Sequence, residues 1–335
     1  MRFGLALPQY DVSVAGEDPL RFDTIVEYAQ LAERLGFDSI HLSDHLRWDI
    51  AKYGGSADES GVYEPLTTLG ALSRVTERVR LGTLVLCEAL RPPAVLAKSL
   101  VTLDRLSGGR LDIGIGAGWY EPDYAAIGMA LPRPGVRLAR LGEYLEILVP
   151  LLAGETVTFD GDYHSVHGAR LLPPPVQSPP PVFVGGRGDR MLQTIADLGV
   201  GWNTCWALTH DAYAERLAVL GAACERAGRE VATIPRSLGL YTLVGESDRD
   251  LDRRFERLRG LTPSGVLDGQ TAAGWRAGRL VGTVQEVRES VDHWESLGVT
   301  EIVCGFGAVP FQVGAADDIE AFAEALIRPA SRPLR

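Results

Sequence analysis

Short apolar runs alternate with amphipathic helical patterns along almost the whole chain, and this alternation is the strongest constraint on its fold. The first strand is read at residues 3–7 and the second at 39–42. Between them an amphipathic helix at 24–35 stops at Gly36, a residue suited to the left-handed turn that ends helices. A third strand at 79–86 follows a helix at 66–76. A fourth at 111–115 follows a helix at 94–106, whose Pro92-Pro93 start suits the first helical turn. A long helix at 137–152 leads to strands at 182–184, near Gly201, at 237–244 and at 302–304, with helices at 191–198, 212–227 and 284–297 among them. Runs apolar throughout, such as 111–115, are expected to be buried on both faces, as parallel strands are. Eight β-then-α units without a break in composition over residues 1–335 predict a single α/β domain, a (β/α)8 TIM barrel, in preference to a doubly wound sheet.

Three segments interrupt this rhythm. Residues 48–62 form a polar, glycine-rich stretch after the second strand, read as a mobile lid. Residues 155–181 contain a β-hairpin signalled by Asp160-Gly161, and a proline-rich return to the fifth strand. Residues 260–280 form a third insertion, read as a second lid.

A net charge of −11 argues against nucleic acid or an anionic membrane surface as partners, while leaving room for a local basic pocket. No apolar run reaches membrane-spanning length and the N-terminal residues lack a signal peptide's features, so a cytoplasmic protein is expected. Four scattered cysteines and six histidines show no metal-ligand spacing, and no metal site is expected. Lysine occurs only at Lys52 and Lys98.

The chemistry-bearing residues cluster where strands end. The fourth strand closes in Gly114, Gly116, Ala117 and Gly118, followed at once by Trp119. Glycines there let backbone approach a ligand, and the indole offers a flat wall. Pro122, and the lack of a strand ending in Asp or Glu about 20 residues on, set this apart from a dinucleotide fingerprint. Ser43-Asp44-His45 ends the second strand. His45 suits proton transfer, with Asp44 fixing its tautomer or position; a helix N-cap and a loop histidine are the alternative. Gly185-Gly186-Arg187-Gly188 follows the fifth strand and precedes a helix, an arrangement suited to a phosphate or simply to a tight turn. Trp202, Asn203 and Trp206 follow the sixth strand and are read as pocket walls, with plain packing the alternative for Trp202. Ser107 to Arg110 is read as a helix stop with a pairing arginine, and His164 and His167 on the hairpin as solvated.

In order, LAERLGFDSIHLSDHL (31–46), RLGTLVL (80–86), RPPAVLAKSLVTLDRLSGGRLDIGIGAGW (91–119), TVTFDGDYH (156–164), PPPVQSPPPVFVGGRG (173–188), GVGWN (199–203) and VGTVQEVRESVDHWESLGVTEIV (281–303) resemble the luciferase-like monooxygenase superfamily, and within it the branch that uses the deazaflavin coenzyme F420. The resemblance covers nearly the whole chain and implies a (β/α)8 barrel, commonly dimeric. It implies that Asp44 and His45 act at the reactive edge of the deazaflavin. A non-proline cis peptide at Leu84–Val85 would support the ring, with Cys87 just beyond or simply a small buried residue. Gly116, Ala117, Gly118 and Trp119 would line the cofactor, and Gly185, Gly186, Arg187 and Gly188 would hold its phosphate. Some sugar-phosphate dehydrogenases of this family carry a glutamate just after the glycines; Trp119 stands near that place here, with Glu121 two residues on, which argues against sugar-phosphate oxidation.

The expectation is therefore an F420-dependent oxidoreductase moving a hydride to or from a small organic substrate held by Trp48, Trp119 and Trp206. FMN-dependent monooxygenase chemistry and a non-catalytic flavin-binding barrel are the alternatives. The partner set is a small-molecule substrate and a second copy of the chain.

Overall fold

The computed structural model describes residues 1–328. Eight parallel strands close on themselves: β1 (Arg2–Ala6), β2 (Ser39–Leu42), β3 (Arg80–Thr83), β4 (Leu111–Gly116), β5 (Val182–Gly185), β6 (Gly201–Cys205), β7 (Arg236–Gly245) and β8 (Glu301–Gly305). The ring is completed where β1 pairs with β8, Leu5 opposite Cys304. The predicted (β/α)8 barrel is thus the observed one, and each predicted strand falls on a barrel strand. The strands read as apolar because both faces are covered: Leu5, Ile40, Leu81, Ile113 and Ile302 are fully buried. Each such side chain contributes roughly 1.5–3 kcal/mol relative to exposure.

Polar groups lock the amino-terminal end of the barrel. Arg80 forks onto Asp112 with two bonds of 2.7 Å, tying β3 to β4. Glu301 at the start of β8 is buried and accepts from the Ser39 hydroxyl at 2.7 Å and from Arg2 at 3.4 Å. Burial by itself would raise its carboxyl, but the His41 ring, Arg2 and the Ser39 hydroxyl outweigh burial and hold it at about 2. Arg110 lies at this end too. It donates to the carbonyls of Ser73, Thr76, Val79 and Ser107 and meets no carboxylate among the described residues, so the expected pairing is to backbone.

The structure departs from the sequence reading in several places. The third strand does not run to residue 86: it stops at Thr83, the Leu84–Val85 peptide is cis, and Leu86–Cys87 resumes against β4 alone. Helices at Asp248–Leu261 and Ala316–Phe322, a short helix at Glu121–Ala126 and a strand at Leu280–Thr283 were not anticipated. Leu280–Thr283 pairs with the upper half of β7. The hairpin is present as Val157–Asp160 and Ser165–Ala169. Among the described residues no helix is long and apolar enough to cross a membrane.

The lid segments are built loops. Trp48 pairs with Ser60 and Tyr10 with Val62 as antiparallel bridges, and a turn of 3-10 helix spans Ala51–Tyr53. Gly54 and Gly265, both left-handed, bring the two insertions together backbone to backbone: a Cβ on Gly54 would sit 2.9 Å from the Gly265 carbonyl oxygen. Only glycine permits both the φ near +90° and that approach.

Candidate active site

The carboxyl ends of the strands open onto a cavity of about 490 Å³, where barrel chemistry is housed. Its floor is the Leu84–Val85 segment. Val85 fits there because β4 and β5 carry no side chains beside it: a Cβ on Gly116 or Gly185 would lie 3.0 or 3.1 Å from a Val85 methyl. Gly114 is similarly constrained, since a Cβ would overlap the Thr83 carbonyl. These glycines make room for a neighbouring strand, a different reason from the close ligand approach inferred for them. Gly116, Ala117 and Gly118 still line the cavity. Gly118 has φ of 67°, and a Cβ there would meet the Tyr124 hydroxyl at 2.5 Å and the Cys87 sulfur at 2.6 Å. Burial pushes the Cys87 thiol up to about 12, so it behaves as a small buried neutral residue.

His45 stands at the end of β2 with its Nδ1 2.6 Å from Asp123 Oδ2, both side chains largely buried. The other oxygen of Asp123 accepts from the Leu46 amide at 2.9 Å, which fixes the carboxylate in place. A carboxylate only accepts, so the hydrogen is assigned to Nδ1, leaving Nε2 with its lone pair. Around the imidazole stand Trp48, Tyr120 and Trp119, with ring centroids 4.6, 5.4 and 6.0 Å away.

Asp44 does not orient His45, nor does it cap a helix. Its oxygens accept from both Nη atoms of Arg91, at 2.7 and 3.0 Å, and from the Cys87 amide at 2.9 Å. Arg91 continues to Glu64 at 2.5 Å. Asp44 is therefore a buried tie between the loops after β2 and β3, with its charge balanced.

Trp48 is buried and stacks on Tyr10 at 5.0 Å, an anchor for the first insertion; Trp119 is 44% exposed with the Lys52 ammonium 3.8 Å above its ring. Gly185, Gly186, Arg187 and Gly188 line the cavity before the helix Asp189–Leu198. The Gly186 amide is engaged by Asn203 O at 3.1 Å, so it is not free for an anion, whereas Arg187 has no ion-pair partner among the described residues. Trp202 stacks on Tyr213 at 4.8 Å and donates to Gly186 O at 2.7 Å; it is packing and not a wall of the site. Asn203 and Trp206 do line it. Among the described residues, the buried polar atoms of the lining without a protein partner are Trp48 Nε1, Arg137 Nε, Asn203 Oδ1 and Thr204 Oγ1.

His164 is not solvated. It packs edge-on against Tyr144 at 5.3 Å, with Nε2 3.7 Å from the buried Glu88, and burial holds the imidazole below its ordinary range. His167 is exposed as expected. Sequence reasoning missed Tyr10, Tyr53, Asp123, Arg137 and Phe311. Only Asp123 carried a signal, as one of two acids in the segment after the glycine-rich strand. Among the described residues, Ala207 and Phe311 are the non-glycine residues with left-handed backbone (φ 48° and 57°). Phe311 lines this cavity and Ala207 the one beside it, a placement typical of built sites.

Residues 1–301 match the family model described as luciferase-like monooxygenase. An F420-dependent glucose-6-phosphate dehydrogenase of Beutenbergia cavernae is 35% identical over 237 residues, 70% of this chain and 67% of that protein. An uncharacterised protein of Mycobacterium tuberculosis is 29% identical over 309 residues, 89% of this chain and 90% of that one. Among solved structures, monooxygenase RslO1 from Streptomyces bottropensis superposes with a TM-score of 0.74 at 25% identity, covering 98% of this chain and 99% of its own. An F420-dependent secondary alcohol dehydrogenase in complex with an F420–acetone adduct superposes at 0.76 with 20% identity over 99% of both chains, a likeness of fold.

Proposed function

The chain belongs to the luciferase-like monooxygenase family, and on that footing we propose that it transfers a hydride between coenzyme F420 and a small organic substrate. It is an oxidoreductase, and F420 is its cofactor. The residues present fit such a group. The cavity is walled by aromatic rings and carries four orphaned buried polar atoms. Its cations Lys52, Arg137 and Arg187 have no ion-pair partner among the described residues, while both of its carboxylates are already occupied, Asp44 by Arg91 and Asp123 by His45. An anionic, ring-bearing cofactor meets three cations there that no carboxylate among the described residues neutralises.

When bound, F420 supplies a carbon centre that gives or takes a hydride, and the protein supplies position and proton control. Leu84, Val85, Gly116, Ala117 and Gly118 would support the ring, and Arg187 with Gly185 and Gly188 would hold the phosphate, Gly186 shaping the turn because its amide is taken by Asn203 O. His45 Nε2, facing the aromatic end of the cavity, accepts or returns the proton that accompanies the hydride, and Asp123 holds the tautomer that makes Nε2 an acceptor. Trp48, Trp119 and Trp206 would wall the substrate. The reading takes the protein as a cytoplasmic homodimer with no nucleic-acid or membrane partner.

The observation that carries this reading is the His45–Asp123 pair in the wall of a cation-bearing cavity floored by Leu84 and Val85. The test is a fluorescence titration with oxidised F420, with FMN in parallel. Tight F420 and weak FMN binding is expected; the reverse order would move the protein to FMN chemistry, and binding of neither would remove the enzyme assignment.

A further inference from the structure

Beside the cofactor cavity lies a second one of about 470 Å³, reached past Trp206 and roofed where the two insertions meet. The two share Lys52, Tyr53, Arg187, Cys205 and Trp206, so whatever reacts in the first can extend into the second. The chain carries a net charge of −11, yet the lining of this second cavity holds Lys52, Arg187 and Arg279 and no aspartate or glutamate. None of the three has an ion-pair partner among the described residues. Lys52 is one of only two lysines in the sequence.

Arg279 is held in place without being neutralised. Its Nη1 donates to the carbonyls of Trp275 and Ala277, each at 3.0 Å, and its guanidinium lies 5.1 Å from the Trp275 ring and 5.7 Å from Tyr241. Tyr241 is 4% exposed, stacks on Trp206 at 5.1 Å, and its hydroxyl has no partner. A buried hydroxyl left unmatched is unfavourable, and a half-buried guanidinium short of acceptors more so. Both deficits are met by one kind of guest, an oxyanion. The walls between these groups are indole and phenol faces, with few neutral hydrogen-bonding groups, which suits a flat apolar body better than a polyol.

We infer that this second cavity is an anion subsite: the substrate carries a carboxylate or phosphate on a flat apolar body, and the anion docks against Arg279 and the Tyr241 hydroxyl beneath the joined insertions. Burial keeps Tyr241 protonated, hence a donor, throughout the physiological range. The inference rests on the F420 reading only in assigning the anion to that enzyme's substrate.

The test is calorimetric titration of the F420-loaded protein with benzoate, phenyl phosphate and neutral benzyl alcohol. One of the two anions is expected to bind about tenfold or more tighter than the alcohol, and the better anion tells carboxylate from phosphate. Arg279→Gln, which keeps a donor to the Trp275 carbonyl, should erase that preference and leave F420 affinity within about twofold; Arg279→Lys, which keeps the charge, should retain most of it. Equal binding of benzyl alcohol, undiminished anion binding in Arg279→Gln, or displacement of F420 by the anions would each overturn the assignment. Failure of F420 itself to bind is read directly in the same experiment and counts against the cofactor reading; the anion preference is then measured on the cofactor-free protein.

Discussion

Replacing Asp123 by asparagine separates the orientation of His45 from its presence. The Leu46 amide needs an acceptor, so the oxygen of the new side-chain amide takes that bond, and its NH2 is turned toward His45 Nδ1. Nδ1 must then accept, the hydrogen moves to Nε2, and the imidazole presents a donor where the native protein presents a lone pair. The native bond is 2.6 Å, buried on both sides and charge-assisted. Such a bond is worth about 1.5–3 kcal/mol, or about 10- to 150-fold in kcat at 1.36 kcal/mol per tenfold. F420 affinity should stay within about twofold, since both Asp123 oxygens are already taken, by His45 and the Leu46 amide. Two assays check the reasoning. Long-range proton–nitrogen NMR reads the tautomer directly among only six histidines, and should show the His45 hydrogen on Nδ1 in the native protein and on Nε2 in the variant. A double-mutant cycle on single-turnover rates should show Asp123→Asn costing almost nothing once His45 is alanine. An unchanged tautomer, or additive losses in the cycle, would refute the dyad.

Four further outcomes follow from the geometry. Arg187→Ala should weaken F420 binding by about tenfold or more, the cost of one charge-assisted contact, while His45→Ala spares binding and depresses turnover; equal loss of binding in both would end that division of roles. Gly118→Ala forces a Cβ against Tyr124 and Cys87 at a left-handed φ and should cost about 1–3 kcal/mol in denaturant melts. Gly142→Ala, in open space within the helix Pro134–Leu152, should be neutral or stabilising by up to about 1 kcal/mol. Glu301 has its carboxyl lowered from 4.5 to about 2, so its contribution is complete above pH 4.5 and is lost as pH falls toward 2. It amounts to about 3 kcal/mol at most. Glu301→Gln should lower stability at neutral pH and flatten the acid limb of the stability curve; an acid limb as steep as the native one would show that other groups govern it.

The fold was legible because the parallel barrel writes itself into the sequence as short runs buried on both faces, and β4 matches its predicted run to within one residue. The break at Leu84–Val85 was not legible from the residues alone. Leu84-Val85-Leu86-Cys87 is uniformly apolar; β3 keeps β2 as far as the bond from the Leu84 amide to Leu42 O, and Val85 then takes the room left at Gly116 and Gly185. The strand Leu280–Thr283, which runs straight into the helix Val284–Ser296, went unread; it lies outside the eight-strand ring and pairs where β7 overruns the barrel. Within the site, adjacency misled. Asp44 and His45 are chain neighbours in the irregular segment after β2, yet their side chains take different partners. Asp44 accordingly faces Arg91 and the loop after β3, while His45 faces across to Asp123 in the segment after β4. Adjacency in the chain therefore did not identify the carboxylate that orients His45. The orienting carboxylate belongs on a loop from another strand, which here means 78 residues downstream. That separation is set by the closure of the barrel, and no local motif could have announced it.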